Sequence, residues 1–83
     1  MPARIEYKAS VSHDLRRLDR AVADRILDEL EAVLSEDPKR GEPLRGQFKG
    51  LRKYRIGEYR VIYTLMKDGV LVLRIGHRSV VYR

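Results

Sequence analysis

The chain has 83 residues, enough for one domain with a core of limited size, and no cysteine, which excludes disulfides, thiolate metal sites and cysteine nucleophiles. Its net charge of +6 is unevenly spread: residues 1–38 hold six Lys/Arg and nine Asp/Glu, while residues 39–83 hold twelve and three. That asymmetry predicts an acidic scaffold half and a basic half that faces a polyanion, nucleic acid or the ribosome. No apolar run approaches a membrane span, and the N-terminus lacks a signal-peptide core, so a cytoplasmic protein with no membrane partner is expected.

In chain order, Arg4-Ile5-Glu6-Tyr7-Lys8 alternates polar and apolar residues and predicts a short strand with Ile5 and Tyr7 inward. Ser10 or Ser12 offers an N-cap to a short helix carrying the stripe Val11, Leu15 and Leu18. Asp19 stands as a second N-cap, and Val22, Ile26, Leu27, Leu30, Val33 and Leu34 then share one face of a longer helix. The tight Leu18-Asp19 junction folds the two helices into a hairpin. Asp37-Pro38 ends the second helix, because the residue before proline is pushed out of the α region. Residues 39–50 read as a loop with room for a short extended piece. Three strands follow, Leu51–Ile56, Tyr59–Met66 and Val70–Ile75. They turn at Gly57-Glu58 and at Lys67-Asp68-Gly69, where Asp-Gly is a hairpin signal. The near-continuous apolar run of the last strand predicts a central position covered on both faces. The expected fold is α+β: a single domain, 1–83, with a small antiparallel sheet in the order β-α-α-β-β-β packed on an N-terminal helical hairpin. The other face of the sheet is then open.

Strand alternation sorts the basic residues. Arg60 shares a face with Ile62 and Thr64, and Arg74 with Gly76 and, if the strand continues, Arg78. Leu71, Leu73 and Ile75 are expected opposite Arg74. Unpaired arginine is costly to bury, so the Arg60 and Arg74/Arg78 faces are assigned to the open side. Arg52 and Tyr54 are expected to join them, opposite Leu51, Lys53 and Arg55. Gly76 leaves room for a ligand backbone. Arg45, Lys49 and Lys53 read as a rim of backbone contacts, against the plainer reading of a solvated surface.

Three stretches, "LRG" at 44–46, "LRKYRIGEYRVIYTL" at 51–65 and "VLRIGHRSVVYR" at 72–83, closely resemble the RelE/ParE superfamily of toxins from toxin–antitoxin modules, and within it the RelE branch. The length and element order also agree. The resemblance implies a ribosome-dependent mRNA interferase that uses no metal or cofactor. In such an enzyme the message's 2′-hydroxyl attacks the adjacent phosphorus and the 5′-oxygen leaves. Carried over by alignment, the catalytic set is Arg52, Arg60, Arg78 and Tyr82. The RNA-binding set is Arg45, Lys49, Lys53, Arg55, Arg74 and His77. The implied partners are a cognate antitoxin, the ribosomal A site with its mRNA, and operator DNA reached through the antitoxin. The sequence departs from the family pattern at Tyr54, which replaces a second lysine and has Arg55 beside it. It also departs at His77, where some members carry lysine, and in having no C-terminal helix before Arg83.

Guanidinium groups suit the charge that builds on a phosphoryl group in such a cleavage. The plainer reading of Arg52, Arg60 and Arg78 is phosphate positioning or surface ion pairing. Tyr82 suits general-base duty, base stacking or a place in the core. His77 titrates near neutrality but points away from Arg78 on a regular strand. The basic half carries no carboxylate cluster, which argues against a metal site. Two other functions remain open: a ParE-type inhibitor of DNA gyrase without nuclease activity, and an inactive basic RNA-binding module.

Overall fold

In a computed structural model, residues 2–78 are described. Strand β1 (Arg4–Tyr7) leads into helix α1 (Ala9–Arg16) and helix α2 (Arg20–Leu34). A two-residue strand β2 (Glu42–Pro43) and a short 3-10 turn (Gly46–Phe48) precede strands β3 (Leu51–Ile56), β4 (Tyr59–Met66) and β5 (Gly69–His77). The five strands form one sheet in the order β1-β5-β4-β3-β2. The predicted α+β hairpin-on-sheet arrangement is present, and the extended piece in the 39–50 loop is β2.

The sheet is mixed rather than purely antiparallel. β1 runs parallel to β5, pairing Ile5 with Val70 and Tyr7 with Val72. Every other pair is antiparallel. The parallel pair joins opposite ends of the chain, a non-local choice that alternation within either strand does not specify. Gly69 is required by this pairing and not by the β4–β5 turn: its φ is not positive, and a Cβ there would collide with the Arg4 carbonyl oxygen.

The core lies between the helices and one face of the sheet. Val11, Ile26, Leu30 and Leu34 meet Val61, Tyr63, Val70, Val72 and Ile75, with Ile5, Leu15, Leu18 and Val22 packed at the margin. Full burial of such aliphatic side chains contributes about 1.5–3 kcal/mol each against exposure. The α2 stripe is the predicted one with Ala23 added and without Leu27, which is only partly buried and stands outside the core. Neither serine caps α1: the helix starts after Lys8, the Ser10 hydroxyl donates to the Leu73 carbonyl at 2.8 Å, and Ser12 donates to Ala9. Asp19 does occupy the N-cap position of α2, with no side-chain capping bond.

The register corrects the expected faces twice. Between β4 and β5 it shifts at Ile62/Tyr63: Ile62 pairs with Arg74 and Tyr63 with Val72, so Leu73 is an extra residue on β5. The bulge reverses the phase of β5. Val70, Val72 and Ile75 therefore all face the helices, and Leu71 joins Arg74 and Gly76 on the other side. In β3, Arg52 pairs with Tyr63 and Tyr54 with Val61, which places Arg52 and Tyr54 on the helix side. Leu51, Lys53 and Arg55 take the open side instead, opposite Thr64, Ile62 and Arg60.

Candidate nucleic-acid interface

The open face is basic because three strands each deliver cations to it at period 2. β3 supplies Lys53 and Arg55, β4 supplies Arg60, and β5 supplies Arg74 and Gly76. Arg55 and Arg60 are direct cross-strand partners. Like charges so placed destabilise a sheet, so the pair is a cost to the fold that an anionic ligand would offset. Ile62 sits among these cations and is nonetheless buried.

At the sheet edge β2 is shorter than β3, and a pocket of about 250 Å³ opens beside the uncovered end of β3. Its walls are Arg40, Gly41, Glu42, Lys53, Tyr54, Arg55 and Arg60. Glu42 stands 3.8 Å from the Lys53 ammonium, a partly exposed pair of small energetic weight. The four basic residues leave the pocket strongly cationic. Arg40 is absent from the residues predicted for the site. Its neighbours Lys39 and Gly41 look like loop sequence, and no periodicity links residue 40 to the strands.

The predicted site residues divide into groups. Lys53, Arg55 and Arg60 converge on the pocket. Arg52 does not: its Nε donates to the Gly41 carbonyl and its Nη2 to the Lys39 carbonyl, both at 3.1 Å, from the helix side of the sheet. Arg74 is drawn to the edge of β5, where Asp14 of α1 accepts its Nε at 3.0 Å and its Nη2 at 3.1 Å. The same carboxylate accepts the Ile75 N–H at 2.9 Å. Arg78 lies just beyond β5, its N–H donating to the Glu58 carbonyl and its guanidinium 3.2 Å from the Glu58 carboxylate. Both side chains of that pair are more than half exposed, so a stronger anion can displace Glu58. His77 pairs with Tyr59 on the helix side, ring edge to ring face at 6.0 Å. Arg45 and Lys49 are exposed on either side of the 3-10 turn and do not line the pocket. Tyr82 lies outside the described residues.

The titration behaviour follows from these contacts. Burial would raise the Asp14 carboxyl, but the Arg74 hydrogen bonds, the Ile75 N–H and the charges of Arg74 and Arg17 together hold it below the usual carboxylate value. Asp14 in turn raises Arg74. The Tyr54 phenol is pushed up, first by burial and then by its 2.9 Å hydrogen bond to Glu29, with Arg40 acting in the opposite direction. Tyr54 is therefore a donor to Glu29 and is poorly suited to base duty. Among the described residues no cluster of three His, Asp or Glu side chains could hold a metal ion.

Residues 5–82 match the family described as the ParE toxin of the type II toxin–antitoxin system parDE. The chain is 35% identical to Toxin RelE of Mycobacterium tuberculosis, over 99% of this chain and 88% of that protein. It is 30% identical to Toxin RelG of the same organism, over 100% and 99%. The fold superposes on the toxin–antitoxin complex RelBE2 from Mycobacterium tuberculosis with a TM-score of 0.87 and 28% identity, covering 95% of this chain and 94% of that one. A likeness in fold alone extends to an Escherichia coli RelE mutant bound to an antitoxin RelBc peptide, at a TM-score of 0.74 and 23% identity over 93% of this chain and 84% of that one. The matched span, the two curated relatives and the shared fold agree, and the chain belongs to the RelE/ParE family of toxins from type II toxin–antitoxin systems.

Proposed function

We propose that this toxin is a ribosome-dependent mRNA endoribonuclease, cytoplasmic, and held inactive by a cognate antitoxin. The observation that carries the reading is the meeting of Lys53, Arg55 and Arg60 with Arg40 at one pocket at the sheet edge. That arrangement suits a phosphodiester backbone. In the cleavage, the mRNA 2′-oxygen bonds to the adjacent phosphorus and the bond to O5′ breaks. One proton leaves the 2′-hydroxyl and one reaches O5′, giving a cyclic phosphate and a free 5′-hydroxyl. Arg60, with Arg78 released from Glu58, binds the phosphoryl oxygens as their charge grows. A fixed donor of this kind typically supplies about 3–4 kcal/mol of barrier lowering. Lys53 carries protons it can give to O5′, which a guanidinium does not. Tyr82 is the candidate base. Arg52 supports the site from behind, since its guanidinium is committed to two backbone carbonyls.

The antitoxin partner is supported by relatives solved as toxin–antitoxin complexes, RelBE2 among them. The test is purified toxin added to programmed ribosomes, with primer extension on the message. Cleavage by the wild-type protein that falls about a thousandfold in Arg60→Ala supports the reading. An intact message sinks it. The family description as ParE favours a second reading, inhibition of DNA gyrase without nuclease activity. Gyrase supercoiling assayed in parallel separates the two.

A further inference from the structure

The turn that carries Arg40 is held with unusual completeness. The Tyr63 hydroxyl, on a fully buried ring, donates to the Pro38 carbonyl at 2.8 Å and accepts the Gly41 N–H at 2.9 Å. Arg52 donates to the Lys39 and Gly41 carbonyls. The Arg40 N–H itself donates to the Asp37 carbonyl at 3.0 Å. Gly41 lies so close to the sheet that a Cβ would stand 2.6 Å from both the Lys53 carbonyl oxygen and the Tyr63 hydroxyl. Backbone groups on both sides of Arg40 are thus fixed from the core, while its side chain is left exposed on the pocket wall.

A surface arginine needed only for solubility has no use for such anchoring. A ligand-binding arginine gains from it, because a pre-fixed backbone removes part of the ordering cost at contact. Each clamp residue also gives up something else it could do. Tyr63 places a hydroxyl in the core, which is tolerable only because both its hydrogen bonds are made. Arg52 takes a cation from an otherwise basic strand and spends it on two carbonyls.

We propose that Arg40 is an RNA phosphate contact that completes the pocket of Lys53, Arg55 and Arg60, and that Tyr63 and Arg52 are positioning residues acting through it. The inference rests on the reading of the open face as an RNA-binding surface, and not on cleavage. The ligand chemistry is a single-stranded phosphodiester backbone.

The test measures binding of a short single-stranded oligoribonucleotide to the purified toxin across a series of salt concentrations. Arg40→Gln should weaken binding several-fold and reduce the salt slope by about 0.7, the value for one phosphate contact on a single strand. Arg40→Lys should restore the slope. Tyr63→Phe and Arg52→Gln should also weaken binding, but neither should weaken it further in an Arg40→Gln background. Circular dichroism confirms folding, and Arg52→Gln stands in where Tyr63→Phe does not fold. An unchanged slope in Arg40→Gln overturns the inference. So does a clamp substitution whose effect is the same with and without Arg40, or wild-type binding that does not depend on salt. Wild-type protein that binds as described but leaves the message intact on ribosomes would remove the nuclease reading and leave this one standing.

Discussion

Asp14 offers a sharp test of how the helical hairpin is fastened to the sheet. β1 covers the edge of β5 only as far as Val72, and beyond it Ser10 and Asp14 of α1 take over the exposed backbone. Asp14→Ala removes the acceptor for the N–H of Ile75, a residue 2% exposed. An orphaned buried N–H costs about 1–3 kcal/mol. The ion pair with Arg74, whose side chain is half exposed, adds at most about 1 kcal/mol. The expected loss is about 1–4 kcal/mol at neutral pH, or upwards of about 4 °C in melting temperature for a domain of this size. The folded Asp14 carboxyl titrates below its unfolded value. Its ionic contribution is therefore complete above the ordinary carboxylate range, about 4, and is lost as pH falls through the folded value. Urea unfolding of wild type and Asp14→Ala at several pH values should show the gap narrowing in acid toward the hydrogen-bond share alone. A gap below about 0.5 kcal/mol at neutral pH, or one independent of pH, refutes the reasoning.

Two further outcomes are expected. Gly41→Ala and Gly69→Ala should each lose at least about 1–3 kcal/mol in urea unfolding, since the new methyl meets the Lys53 carbonyl and Tyr63 hydroxyl in one and the Arg4 backbone in the other. Gly46→Ala, with open space but a φ of +65°, should lose only about 1 kcal/mol. Cleavage of the message should survive chelation of free divalent ions by EDTA once the ribosomes are held intact by polyamines, because the described part of the basic half presents no carboxylate or histidine cluster. Activity rescued only by a divalent ion acting on the toxin would contradict it.

Much of the fold is legible because its signals are local. The α2 stripe, the Gly57-Glu58 turn and the three strands after residue 50 each follow from spacing within a few residues. What is not legible depends on partners far along the chain. The parallel β1–β5 pair spans most of the sequence. The bulge at Leu73 inserts one residue into an otherwise regular run, and nothing in "VLVLRIGH" marks which leucine is extra. Ser10 bonds not to its own helix but to the Leu73 carbonyl of β5, which makes it a poor cap in fact and a good one in appearance, and Asp14 reaches the same strand. At the site, Arg60 was legible from alternation and from motif. Arg74 was legible as exposed, but its capture by Asp14 was not. Arg40 left no periodic signal at all.

The two arginines of β3 show why phase matters more than composition there. Arg52 and Arg55 are three residues apart, so alternation puts them on opposite faces whichever face is open. Only the β3–β4 register decides, and it sends Arg52 to the carbonyls of the 39–41 turn and Arg55 to the face it shares with Arg60. Opposite signs of stability change follow. Arg52→Ala leaves two carbonyls without their charged donor, and hydrogen bonds to charged groups contribute about 1.5–3 kcal/mol, less where water can replace them. Arg55→Ala instead relieves repulsion with Arg60, a gain of up to about 1 kcal/mol, set against one hydrogen bond to the Gly57 carbonyl at 3.2 Å. Urea unfolding should therefore rank Arg55→Ala at or above wild type and Arg52→Ala well below it. Affinity for an oligoribonucleotide should fall in Arg55→Ala although the protein is no less stable, the signature of a residue kept for its ligand. If Arg55→Ala destabilises as much as Arg52→Ala and binds RNA as wild type does, the register of β3 is not the one that sorts these charges.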